Sequence, residues 1–199
     1  KQFPEDESVT RSTEGSDDGL DSRQPYPGTL SSGYVRQPTM HGHQLVLVAE
    51  GDLWLADLPS KLPDAGSTKN PLLCARLTAT GGCSHPCFSP DGSLLAYSMR
   101  GEVYVIPSRG LGRPPRRLSF LGEDSQVAGW TPNGSHVLFR SRAGLPMDHQ
   151  MQLWKMASSG AGRPSPLHLG ESHHLVSLSD GSYVIGRHTV DPAHTQWKG

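Results

Sequence analysis

The chain has 199 residues, with 18 basic and 19 acidic side chains and a formal net charge of −1. So even a balance excludes the basic stripe of a nucleic-acid binder or of a protein held to acidic membranes. Adding the 23 glycines to the 34% of hydrophobic residues gives about 46%, an ordinary globular share, while 17 prolines make the chain turn-rich but not wholly disordered.

The chain opens Lys1-Gln2-Phe3-Pro4 without a methionine, which points to a true start further upstream. Neither a secretory signal nor an apolar run of membrane-spanning length is visible. Residues 1–33 carry seven acids (Glu5, Asp6, Glu7, Glu14, Asp17, Asp18, Asp21) against three bases (Lys1, Arg11, Arg23). Apolar residues are sparse there, so little burial offsets the entropy of ordering. The stretch reads as a disordered acidic leader.

From residue 34 a repeat emerges. A divergent first unit contains His41-Gly42-His43-Gln44 before Leu45-Val46-Leu47-Val48, then Gly51-Asp52-Leu53-Trp54 and Ala75-Arg76-Leu77-Thr78. The second contains Ser89-Pro90-Asp91-Gly92 before Leu94–Ser98, then Gly101-Glu102-Val103-Tyr104 and Arg116-Arg117-Leu118-Ser119. The third contains Thr131-Pro132-Asn133-Gly134 before Val137–Ser141, then Gln152-Leu153-Trp154. A fourth begins at His174 and carries Ser179-Asp180-Gly181-Ser182 before Tyr183–Gly186. Trp54, Tyr104 and Trp154 recur 50 residues apart. Short β-rich runs at a period of roughly 40–50 residues are the mark of propeller blades.

The turn chemistry agrees. Asp-Gly and Asn-Gly supply the positive φ of tight hairpins, and Pro90 and Pro132 sit where a missing N–H costs the ladder nothing. Val103–Ile106 is continuously apolar, as a strand covered on both faces requires. No window holds a helical apolar period free of Gly or Pro. The expected fold is all-β: a partial β-propeller with blades at 34–80, 81–122 and 123–168 and an incomplete one at 169–199. At roughly 45 residues per blade that is about 3.7 blades of a larger ring.

Candidate chemistry is thin. No Gly-x-Ser-x-Gly elbow occurs, since Gly15-Ser16 and Gly134-Ser135 have the wrong sequels. Cys83-Ser84-His85-Pro86-Cys87 puts three soft ligands within five residues, but a tetrahedral zinc site wants a fourth, and only Cys74 remains. These cysteines therefore read as structural. Three of them make no disulfide framework, which favours a reducing compartment. His173 and His174, near Glu171, point to opposite faces of a strand and converge poorly on one ion. Trp54, Tyr104 and Trp154 read as packing aromatics between blades. Arg113, Arg116 and Arg117 beside Pro114-Pro115 read as a solvated loop, with contact to peptide carboxylates as the alternative. No catalytic, cofactor-binding or metal-binding residue is assigned, and no cofactor is expected.

The order of several segments resembles the first, six-bladed propeller of the tricorn-type serine proteases. These are Gly33-Tyr34-Val35-Arg36-Gln37-Pro38-Thr39, Val48-Ala49-Glu50-Gly51-Asp52-Leu53-Trp54, Ser84-His85-Pro86, Gly129-Trp130-Thr131-Pro132, Leu138-Phe139-Arg140-Ser141 and Ile185-Gly186-Arg187-His188-Thr189-Val190-Asp191-Pro192-Ala193. The resemblance covers about residues 33–199. It departs from the family at an insertion near Lys61–Pro71 and at His194-Thr195-Gln196. It implies a cytoplasmic, homo-oligomeric peptidase that degrades oligopeptides released by the proteasome or similar machines. It also implies two propellers, a PDZ-like domain and a catalytic region whose serine and histidine match no position here, with this propeller in the substrate or product path. The Ser-Pro-Asp-Gly units also resemble TolB-like propellers, which leaves open a stand-alone interaction module without enzymatic activity.

Overall fold

A computed structural model describes residues 34–60, 73–110, 113–146, 150–172 and 174–186, together with the backbone of Pro27–Gly28. Among the described residues every regular element is a strand: β1 (Pro27–Gly28), β2 (Arg36–His41), β3 (Gln44–Ala49), β4 (Asp52–Asp57), β5 (Cys74–Arg76), β6 (Cys83–Phe88), β7 (Leu94–Met99), β8 (Glu102–Pro107), β9 (Arg116–Arg117), β10 (Ser125–Trp130), β11 (His136–Ser141), β12 (Gln152–Ala157), β13 (Ser165–Glu171), β14 (His174–Ser177) and β15 (Tyr183–Gly186). Among the described residues no helix is long and apolar enough to cross a membrane.

The strands form successive antiparallel meanders: β2 to β5, β6 to β9, β10 to β13, and the pair β14–β15. The short β1 adds to the outer edge of the first sheet by pairing with β5. The rest of the stretch read as a leader lies outside the described residues, as do the Lys61–Pro71 insertion and everything after Gly186. The first strands β2, β6, β10 and β14 pack beside one another, so the sheets radiate from a common hub as an open arc.

Alternation along each strand sends side chains to two different cores. Val46, Val48, Leu53 and Leu55 of the first sheet meet Cys83, Leu95, Tyr97 and Met99 of the second. The opposite face of the second sheet, with Ala96, Val103 and Val105, meets Val127, Val137 and Phe139 of the third. Leu138 and Leu153 then meet Leu175 of the fourth. The 50-residue marker sits at one register throughout: Trp54 opposite Leu47, Tyr104 opposite Tyr97, Trp154 opposite Phe139. Two of these pairs stack, with centroids 5.8 and 6.5 Å apart. Tyr104 and Trp154 therefore fill the space between blades, as expected. Trp54 instead packs on the outer face of the first sheet, against Leu47, Ala56 and Cys74 of its own blade, and not between two described blades.

The turn residues are as local as the sequence suggests. Asp91 accepts from the Ser89 and Ser93 hydroxyls at 2.6 and 2.7 Å and from the Ser93 N–H at 3.1 Å. Asn133 does likewise with Thr131 and Ser135, and Asp180 with Ser182. At Gly92 glycine is demanded twice over. Its φ is +71°, and a Cβ there would lie 2.1 Å from the His41 ring of the preceding blade.

A second repeated device ties the first blade to the second and the second to the third. Asp52 and Glu102 are the first residues of their blades' third strands, and both carboxylates are buried. Asp52 accepts from the Thr78 hydroxyl at 2.8 Å, from the Thr80 and Gly81 N–H groups at 3.0 and 3.1 Å, and from Arg76. Glu102 accepts from Arg117 at 2.8 Å, from the Gly122 and Leu121 N–H groups at 3.0 and 3.3 Å, and from the Ser119 hydroxyl. Each carboxylate thereby fixes the fourth strand and the connection to the next hub strand. Burial works to raise both pKa values, but the hydrogen bonds from Arg, Ser/Thr and backbone N–H groups outweigh it and hold both below the ordinary range.

A group with a depressed folded pKa contributes stability above its unfolded pKa (about 3.9 for Asp and 4.3 for Glu) and loses it as pH falls through the folded value. Stability is therefore expected to fall steeply below about pH 4. Glu102→Gln should cost about 2–4 kcal/mol at pH 7 and flatten that acid slope. Thermal melts from pH 7 to 3 check both, and a midpoint insensitive to Glu102→Gln would contradict the role given to the carboxylate.

Candidate functional site

The hub is where the chain gathers polar groups that packing does not require. Bulges in its strands set this up. Register shifts occur between Arg36 and Thr39 in β2, between Ser84 and Cys87 in β6, and between Val127 and Gly129 in β10. In the first two, Gln37 and His85 adopt φ of +52° and +50°, unusual for side-chain-bearing residues, each just before a proline. The bulge re-aims the strand so that Gln37 Oε1 accepts the His85 N–H at 2.9 Å, a bond from one blade's hub strand to the next.

Around this link stand Arg36, Asp124, Gln126 and Arg140. Gln126 bridges two of them, donating to Asp124 at 2.8 Å and accepting from Arg140. His85 Nδ1 is buried with no hydrogen-bond partner among the described residues. Burial lowers the His85 pKa, the Arg140 and Arg36 charges lower it further, and Asp124 opposes them. The rim can exchange hydrogen bonds and charge with a polar chain lying along the hub. It contains no paired nucleophile and base.

One Ser–His contact does occur elsewhere: Ser135 Oγ lies 2.8 Å from Nδ1 of its neighbour His136. It belongs to the Asn133 turn, where the same hydroxyl reaches Asn133 Oδ1 at 2.7 Å. Among the described residues no carboxylate is hydrogen-bonded to His136, so nothing orients the imidazole as a general base.

The bulge also settles the geometry of the cysteine motif. Cys83 and Cys87 are an even number of residues apart and would share a face of a regular strand. The extra residue between them sends Cys83 opposite Met99 into the core shared with the first sheet, and Cys87 opposite Ala96 into the core shared with the third. They cannot close on one ion with His85. Cys74 lies on a third face, the outer face of the first sheet, beside Trp54. His174 begins β14, opposite Gly186, and His173 lies outside the described residues.

The arginine cluster is not one solvated loop. Arg117 is the partner of buried Glu102 and also lies 4.3 Å from the centre of the Phe120 ring. Arg116, its neighbour on β9, points the other way and donates to the Ser158 carbonyl of the next blade at 2.7 Å. All three stay exposed, as expected of the group, but Arg116 and Arg117 lie on a strand and hold fixed partners. The carboxylate device escaped the sequence reading, although Asp52 and Glu102 lie 50 residues apart and Arg76-Leu77-Thr78 is echoed by Arg117-Leu118-Ser119.

The tricorn protease N-terminal β-propeller domain model matches residues 32–199. The chain is 30% identical over 185 residues to the tricorn protease of Thermoplasma acidophilum, covering 86% of this chain and 16% of that protein. To tricorn protease homolog 1 of Streptomyces coelicolor it is 36% identical over 107 residues, covering 51% of this chain and 9% of that one. The crystal structure of the tricorn protease superposes with a TM-score of 0.61 at 25% identity, over 78% of this chain and 15% of that one. TolB from Acinetobacter baumannii superposes with a TM-score of 0.58 at 20% identity, over 79% of this chain and 39% of that one, a likeness of fold alone. The chain thus spans a small fraction of the length of the curated relatives it matches.

Burial raises the pKa of all three thiols, that of Cys87 to about 11. At pH 8 a chromogenic disulfide reagent should therefore react slowly with the native chain and rapidly with all three thiols after unfolding. Rapid reaction of Cys83 or Cys87 in the native chain would contradict their placement.

Proposed function

Because the chain belongs to the tricorn protease N-terminal β-propeller family, we propose that it is the non-catalytic propeller of a serine-type peptidase that degrades oligopeptides. In this reading it guides substrate or product along its hub and scaffolds the rest of the molecule. The supporting observation is the hub rim. Gln37, His85, Gln126 and Arg140 come from successive blades and offer hydrogen bonds where an extended peptide would run, with no nucleophile poised to attack it.

The parent then works in the cytoplasm as a homo-oligomer, and three cysteines, an odd count too small for a disulfide framework, fit a reducing compartment. The chemistry of bond cleavage lies in sequence other than this chain. The TolB likeness carries the fold alone, so a stand-alone interaction platform has no separate observation in its favour.

The test pairs the 199-residue chain with a longer protein that contains it. The chain alone should cleave no oligopeptide and take no label from a serine-directed phosphonate, while the longer protein should do both. Labelling of this chain that vanishes on mutation of one of its serines would overturn the non-catalytic assignment. A longer protein that neither cleaves nor labels would overturn the peptidase reading.

A further inference from the structure

At the end of the sheets that carries the Asp-Gly and Asn-Gly turns, the first and second blades do not close on each other. An open cleft of about 650 Å³ lies between them, lined by His41, Gln44, Ser93, Ser108, Arg109 and Arg113 among others. Its walls are firmly set. His41 presses its ring on Gly92 and bonds to the Pro90 carbonyl oxygen at 3.2 Å. Ser108 donates to the Gly92 carbonyl at 2.6 Å, and the Arg113 N–H to the Gly110 carbonyl at 3.1 Å. Arg109 spans the blades to Asp57 at 3.3 Å, an exposed pair of little energetic weight.

The carboxylate lining this cleft is already occupied, whereas one of its buried donors is not. Asp91 spends its carboxylate on Ser89 and Ser93, and those hydrogen bonds hold its pKa down to about 2. Gln44, by contrast, is only 7% exposed, and its Nε2 has no hydrogen-bond partner among the described residues. A buried amide donor left unpaired is costly and marks a place prepared for an acceptor. Beside it the Arg109 and Arg113 guanidiniums offer the forked donors that match a carboxylate.

We infer that this cleft binds the carboxylate of a short peptide, held by Arg113 and Arg109 with the Gln44 amide completing the set. The site lies away from the hub rim, at the loop end between two blades. The inference rests on the peptide-handling reading only for the class of ligand. A volume of this size admits a few residues, so the carboxylate is that of a peptide terminus or an acidic side chain near it.

The experiment titrates the 199-residue chain into fluorescein-labelled Ala-Ala-Glu-Glu with a free C-terminus, and in parallel into labelled Ala-Ala-Gln-Gln amide. The acidic peptide should bind and the uncharged one should bind at least about tenfold more weakly. Arg113→Ala and Gln44→Met should each weaken the acidic peptide about tenfold, and Arg113→Glu should abolish its binding. Arg113 is exposed, so its variants test the cleft even if Gln44→Met unfolds.

Equal binding of the two peptides, or affinity unchanged in the Arg113 variants, would overturn the site. Inorganic phosphate that binds as tightly and displaces the peptide would overturn the peptide assignment. Failure to bind any peptide overturns the cleft alone, because the peptidase reading is decided separately by cleavage in the longer protein.

Discussion

A carboxylate taken out of water must be met by donors on nearly every lone pair, or its burial costs more than a small domain can spare. Asp52 and Glu102 meet that demand with groups from three places: an arginine on the outer strand, a hydroxyl two residues on, and backbone N–H groups of the connection leading to the next blade. Satisfying the charge therefore fixes where the outer strand ends and where the next hub strand begins. The same hydroxyls also accept the N–H of the following residue in the third strand, Leu53 or Val103. A few further bonds lock the corner: the Cys83 N–H to the Gly51 carbonyl, and the Ser125 N–H to the Gly101 carbonyl. The angle between blades, and so the shape of the hub and of the cleft between the first two blades, follows from this junction.

The third blade shows what happens without the charge. Gln152 occupies the register of Asp52 and Glu102, and its amide turns back to the Ala143 carbonyl of its own blade. The backbone bond survives, from the Ser172 N–H to the Met151 carbonyl. The junction is thus built on backbone geometry and reinforced by a carboxylate where the sequence supplies one.

Much of the fold was legible in the residues, because propeller blades are made of local signals. Asp91-Gly92 and Asn133-Gly134 announce hairpins whose hydrogen bonds stay within five residues, and the 50-residue spacing of Trp54, Tyr104 and Trp154 follows one register. What stayed hidden was either long-range or caused by a single inserted residue. The arginines near Pro114 look alike in sequence, yet Arg117 answers a carboxylate 15 positions earlier and Arg116 reaches the next blade. The β6 bulge inverts the facing of Cys87 relative to Cys83, which spacing alone cannot reveal. The cleft depends on Gln44 and Arg113, residues brought together only by the packing of one blade on another.

Hub and cleft are consequences of the same junction, so the account stands on whether the buried carboxylate holds it. Site-resolved amide hydrogen exchange on Glu102→Gln asks this directly. Protection should fall by more than about tenfold at Leu121 and Gly122, where the donors lose a charged acceptor, and remain at Thr80 and Gly81, which answer to Asp52. Protection at Leu121 and Gly122 identical to that of the unaltered chain would contradict the account.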